Sequence, residues 1–154
     1  MIFMVNENLQ LENCQIGRGS YRNFAGEKSQ FNPAGKRTFV VLLNEAEGQA
    51  IEAQGWHIRW REPREEGDER MAMLTVECRF GDYPPKVMLI SGNNRTLLDE
   101  SNIAILDSAE IARCDLIVRP YNWEVNSNSG TKAYVKSMYV TLQDDDFGGR
   151  YSDL

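Results

Sequence analysis

CDLIVRPYNWEV at 114–125 and TKAYVKSMYVTL at 131–142, separated by NSNSG, are the stretches that decide how this chain folds. Both runs are rich in β-branched and aromatic residues, and the Asn/Ser/Gly cluster between them is turn chemistry. Together they predict an antiparallel hairpin. Side chains alternate along a strand, so Arg119, Tyr121 and Trp123 share one face of the first run. The pairing register decides what joins them from the second run: Tyr134, Lys136 and Met138, or Ala133, Val135, Ser137 and Tyr139.

Outward from the hairpin, LQLENCQI (9–16) opens with a Leu9/Leu11 alternation and reads as a first strand. Residues 17–37 are rich in glycine and basic residues, and read as loop with at most a short strand. TFVVLL (38–43) is a buried strand. Asn44 is a good N-cap for a short helix that stops at Gly55. WHIRWR (56–61) sets Trp56, Ile58 and Trp60 on one face and His57, Arg59 and Arg61 on the other. An acidic loop (62–70), strands at 71–80 and 86–90, a turn cluster at 91–94 and a helical pattern at 99–112 complete the chain up to the hairpin. The order predicts a mostly β chain with one or two short helices. A five-stranded antiparallel barrel of the oligonucleotide/oligosaccharide-binding (OB) type fits best, with a β-sandwich as the alternative. The barrel domain would occupy 1–142, and 143–154 would be a short acidic C-terminal tail.

With 154 residues, 42% of them apolar, the chain is long enough for one real core. Cys14, Cys78 and Cys114 are far apart in sequence and form no CxxC pair, and His57 has no partner at ligand spacing. Neither a metal site nor a disulfide framework is expected, and the cysteines read as buried thiols of a reducing compartment. MIFMVNENLQ is not a signal peptide, no stretch suits a membrane span, and the Asn94 sequon reads as chance. The net charge of −6 is unevenly spread. Residues 17–37 carry five cations against Glu27, whereas 62–70 carry five carboxylates against two arginines, and 144–154 carry four aspartates against Arg150. Screening limits each charge to a reach of about 8–10 Å, so an acidic protein can own a basic groove.

Catalytic devices find no support. GKRT (35–38) lacks the first P-loop glycine, since Gln30 stands there, and a strand follows it where a helix is required. There is no GxSxG elbow to serve His57, which reads instead as a surface or groove-lining residue. Asp144, Asp145 and Asp146 lack calcium-loop spacing. No cofactor and no enzyme activity are expected.

Single-strand binding needs cations for phosphates and aromatic faces for bases, presented rigidly. The hairpin supplies Arg119, Tyr121 and Trp123; WHIRW supplies Trp56, Arg59 and Trp60; the glycine-rich loop supplies Asn23, Phe24, Phe31, Lys36 and Arg37. The competing reading makes these aromatics core and the cations a solvated face. The tail, with Asp144, Asp145, Asp146 and Phe147, could mimic DNA on a basic groove or recruit partner proteins; its bland reading is a solubilising end.

The stretches 21–43, 55–66, 84–90, 97–111, 114–142 and 144–151 resemble phage-encoded single-stranded DNA-binding proteins of OB type. The resemblance implies a cofactor-free protein that coats single-stranded DNA without sequence preference during phage replication or recombination, in the cytoplasm of a bacterial host. Residue by residue it implies DNA contact at Arg22, Phe24, Lys36, Arg37, Trp60, Arg119, Tyr121, Trp123, Lys132, Tyr134 and Lys136. The tail is shorter than is usual for such proteins and ends in Leu154 rather than an aromatic residue, a departure that weakens a partner-recruiting role more than DNA binding. Replication or recombination proteins and a second copy of the chain are further expected partners. The alternative function is a protein–protein module, a phage structural or adaptor component that ignores oligonucleotides.

Overall fold

The central hairpin is longer and tighter than its sequence predicts. In the computed structural model, which describes residues 5–143, strand β8 (Ile111–Val125) and strand β9 (Asn128–Leu142) run to within two residues of each other. Asn126 and Ser127 form the whole turn, with φ of 49° and 74°. Positive φ at both central residues belongs to the type I′ turn, whose twist matches that of the flanking strands. Asn accepts this conformation readily, so the expected five-residue loop contracts to two.

Five strands close into a ring. The other three are β1 (Leu9–Ile16), β3 (Thr38–Leu43) and β5 (Met71–Glu77). β1 pairs with both β8 and β3, β3 pairs with β5, and every one of these ladders is antiparallel. The ring shuts where β5 meets β9 through Val76↔Ala133 and Glu77↔Tyr134, and this seam is parallel. The fold is therefore the predicted OB-like barrel, with one parallel closure where all-antiparallel pairing was expected. β2 (Arg22–Asn23) flanks β3 and β4 (Arg59–Arg61) flanks β5.

A β-bulge settles the register left open by the sequence. Ile117 pairs with Ser137 but Val118 pairs with Val135, so Lys136 is an extra residue on β9. On the tip side of the bulge Ala133 and Val135 face the core; beyond it Met138 and Val140 do, all nearly or fully buried. Each alternative face holds on one side of the bulge.

Helix α1 (Glu45–Ala53) forms as its caps dictate. The Asn44 side chain accepts from the Glu47 amide, Glu47 reaches back to the Asn44 amide, and Gly55 follows at φ 109°. One expectation fails. The helical pattern at 99–112 is only a 3-10 turn at Ile103–Asp107, because local side chains capture the backbone: Asp99 takes the Ser101 amide, and Asn102 takes the Asp99 amide. Ile111 already belongs to β8. Residues 94–98 form an unforeseen strand β7 (Asn94–Leu98), which pairs with β6 (Lys86–Ser91), while β6 runs parallel to β9.

The core lies inside the ring, with Phe39, Val41, Leu74, Val76, Leu116, Val118 and Met138 among its residues. Full burial of each such side chain contributes about 1.5–3 kcal/mol before entropy is charged. Among the described residues no helix is long and apolar enough to cross a membrane, and no cluster of three metal-ligating groups occurs.

All three cysteines are free thiols in different surroundings. Cys14 on β1 stands opposite Cys114 on β8, and hydrogen bonding from the Cys114 thiol pulls Cys14 below the ordinary thiol range. Burial pushes Cys78 up to about 12, and its place beside Cys14 raises Cys114. Iodoacetamide at mildly alkaline pH should therefore modify the folded protein at Cys14 first, with Cys78 and Cys114 reacting only on unfolding. Peptide mass mapping reads this directly, and labelling of Cys78 at the rate of Cys14 would contradict it.

Candidate nucleic-acid interface

The outer face of the β5–β9 seam gathers the candidate site residues. Alternation along β5 points Thr75 and Glu77 outward, and Arg79 continues the same parity just past the strand. Across the hairpin, Arg119 is paired with Tyr134 and Tyr121 with Lys132, so these four share that face. The Arg119 guanidinium lies 5.0 Å from the Tyr134 ring centroid, that of Arg79 lies 6.0 Å away, and the Tyr121 ring is 5.6 Å away at 40°. Tyr134 is thereby buried on the outside of the barrel, beneath two cations and a second ring. Its phenol also pushes the Arg79 guanidinium up, first through side-chain hydrogen bonding.

Beside this cluster is a cavity of about 410 Å³ lined by Lys36, Arg37, Arg79 and Lys132 against Glu77 and Glu100, with Phe80 and Tyr134 in its wall. A smaller cavity of about 170 Å³ shares Lys36, Glu77 and Lys132 and adds His57, Thr38 and Thr75. The two make one groove across β3, β5 and β9, the side of an OB barrel suited to oligonucleotides. Arg37 is partly spent: it pairs with Glu100 at 3.6 Å, donates to the Ala25 carbonyl at 3.3 Å and lies 6.0 Å from the Phe80 ring. Among the described residues no carboxylate forms an ion pair with Lys36, Arg79, Arg119 or Lys132.

Trp123 extends the same face towards the hairpin tip. It stands opposite Gly130, and a Cβ on that glycine would come within 2.9 Å of the indole. Only glycine lets the ring lie flat across the neighbouring strand. On the opposite face of the arm Asn122 exchanges hydrogen bonds with Val5 at 3.2 and 2.8 Å. Lys136 is exposed at the bulge.

Several residues expected in the interface are elsewhere, Trp56 among them, sealed in the core. The Phe24 ring is wholly buried and stacks on Phe39 with centroids 4.9 Å apart. Arg22 donates to the carbonyls of Gly17, Leu106 and Ala109, at 2.7, 3.1 and 2.8 Å, and so ties its loop to the 3-10 turn. The Asp107 carboxylate completes that tie by accepting the Phe24 and Ala25 amides. Trp60 is on the buried side of β4, packed on Gly48 of α1, with Nε1 donating to Glu52 at 3.0 Å and Arg70 at 4.1 Å above its ring. Its neighbour Arg59 faces outward and is exposed, paired with Met73 of β5. The alternation in WHIRWR is as predicted, but it separates Arg59 from Trp60. Arg79 and Phe80 were missed; the alternation through Thr75 and Glu77 is the signal that finds Arg79. Asp144, Asp145, Asp146 and Phe147 lie outside the described residues.

The model of the family described as "Putative phage ssDNA-binding domain" matches residues 2–154. The chain belongs to this family. Solved structures agree on the fold. The single-stranded DNA-binding protein from bacteriophage Enc34 is 16% identical, with a TM-score of 0.56, over 92% of this chain and 84% of that one. The structure of that protein in complex with ssDNA gives the same identity and TM-score over 92% and 89%. A C-terminal truncation of it gives 0.55 over 90% and 87%, again at 16% identity. No curated protein matches the chain in sequence. Family membership makes single-stranded DNA the ligand for which an interface is sought.

Phe24 should behave as core. Phe24→Ala is expected to cost about 3–5 kcal/mol in urea unfolding. A change within 0.5 kcal/mol would mean that the ring is not packed as described.

Proposed function

We propose that the groove across β3, β5 and β9 binds single-stranded DNA without sequence preference. The observation that carries the reading is the Tyr134 cluster: a buried phenol holding Arg79 and Arg119 beside Lys132, next to the exposed face of Tyr121. Cations fixed in this way meet phosphates, while Tyr121 and Trp123 offer flat faces to bases. Every base has a π face, so stacking tolerates any sequence. Lys36, Arg37, Arg59 and Lys136 extend the positive surface along the strand's path. Tyr134 acts as a positioning residue rather than as a base platform, since its ring is already covered. Family membership and the Enc34 protein bound to ssDNA support the same ligand. The protein would coat exposed single strands in phage replication or recombination, in the bacterial cytoplasm, as a binder and not a catalyst.

The tail enters by charge alone. The aspartates at 144–146 and Phe147 would compete with DNA for the groove, or present a docking peptide to replication or recombination proteins. A second copy of the chain is a further candidate partner.

Binding of a labelled oligothymidine should weaken steeply with salt, because each neutralised phosphate releases counterions. Arg79→Ala and Lys132→Ala should each weaken binding and lower the slope of log K against log salt by about 1. Absence of binding at low salt, or an affinity indifferent to salt, would overturn the proposal.

A further inference from the structure

With Phe24 in the core, the loop before β3 still offers one aromatic ring. Phe31 is 88% exposed, at the tip of the segment 26–35. The loop's ends are clamped together: the Gly35 amide donates to the Gly26 carbonyl at 2.8 Å. Gly26, at φ 69°, has no room for a side chain, since a Cβ there would lie 3.1 Å from the Gly35 backbone and 2.7 Å from the Arg37 guanidinium. Within the loop Ser29 and Asn32 bond amide to carbonyl in both directions, at 2.9 and 3.3 Å. The Asn32 side-chain amide donates to the carbonyls of Glu27, Pro33 and Lys36 at 2.9–3.0 Å. Asn23 grips the base of the loop, accepting the Glu27 amide and donating to the Glu27 carbonyl. A segment tied at this many points is a compact Ω-type loop and not a slack one.

Such a loop would hold Phe31 in solvent, which leaves its apolar area without a partner and has no structural return. Its position explains it. Asn32, its neighbour, is bonded to the carbonyl of Lys36, and Lys36 with Gly35 lines the groove. Lys28 on the same loop adds a second cation.

We infer that Phe31 is a base-stacking residue near the groove, presented by a preorganised loop whose end, Gly35 and Lys36, lines it. The inference rests on the DNA-binding reading of the groove and gives the strand a second stacking station. Because the loop is already ordered, little conformational entropy is lost when a base settles on the ring.

Three variants and one control test it, by equilibrium binding of a labelled oligothymidine at several salt concentrations. Phe31→Ala is expected to weaken binding about tenfold, the value of one stacked base. The slope against salt should stay the same, since no phosphate contact is lost. Phe31→Tyr should retain the affinity and Phe31→Leu should lose it, which separates stacking from mere apolar contact. The unfolding midpoint should not move, as the ring is packed against nothing. Parental affinity in Phe31→Ala would overturn the inference, and a simultaneous loss in Lys132→Ala would show that the groove itself still stands. Parental affinity in both variants would remove the groove as well. Unchanged DNA binding with an altered sedimentation coefficient would reassign Phe31 to contacts between copies and overturn the inference equally.

Discussion

The seam between β5 and β9 is the constraint on which the rest of the molecule depends. Two residue pairs, Val76↔Ala133 and Glu77↔Tyr134, close the barrel. On the inner side they bury Val76 and Ala133 in the core. On the outer side they bring Arg79, from the end of β5, over the ring of Tyr134 on β9. The ladder that gives the core its closed shape thus also assembles the cationic cluster. The bulge at Lys136 has a matching role: it resets the faces of β9, so that one strand contributes Tyr134 and Lys132 outward near the tip and Met138 inward beyond it.

An acidic total and a basic groove coexist because the charges are segregated. The acidic loop at 62–70 lies between β4 and β5, and Glu45 and Glu52 of α1 are occupied by Arg70 and Trp60. The groove cations come from the loop before β3, the end of β5 and the hairpin. At a Debye length of about 8 Å, a strand in the proposed groove would be governed by Lys36, Arg79 and Lys132 more than by the net charge.

The hairpin, the capped helix, the buried β3 strand and the amphipathic WHIRWR segment were legible because each rests on local chemistry: turn residues, an N-cap and strict alternation. The helix expected at 99–112 was not, since its periodicity was real but Asp99 and Asn102 captured the backbone amides that a helix start would use. Closure was equally hidden, because a two-residue parallel seam leaves no local trace. That hidden contact decides the site. Arg79 meets Tyr134 only after closure, and Phe24 leaves the candidate list because Phe39 is its stacking partner. The family resemblance implied DNA contact at Arg22, but it is committed to three carbonyls that no local pattern announces. Phe31, equally visible in the sequence, is separated from Phe24 only by burial.

Amide hydrogen exchange with and without a saturating oligothymidine tests most directly whether the outer face of the seam carries the DNA. Slowed exchange should appear in peptides covering 28–38, 75–80 and 119–136, with none across β6 and β7 at 86–98. Protection confined to 86–98, or to β1 and the start of β8 on the far side of the barrel, would place the nucleic acid away from the seam and contradict the account.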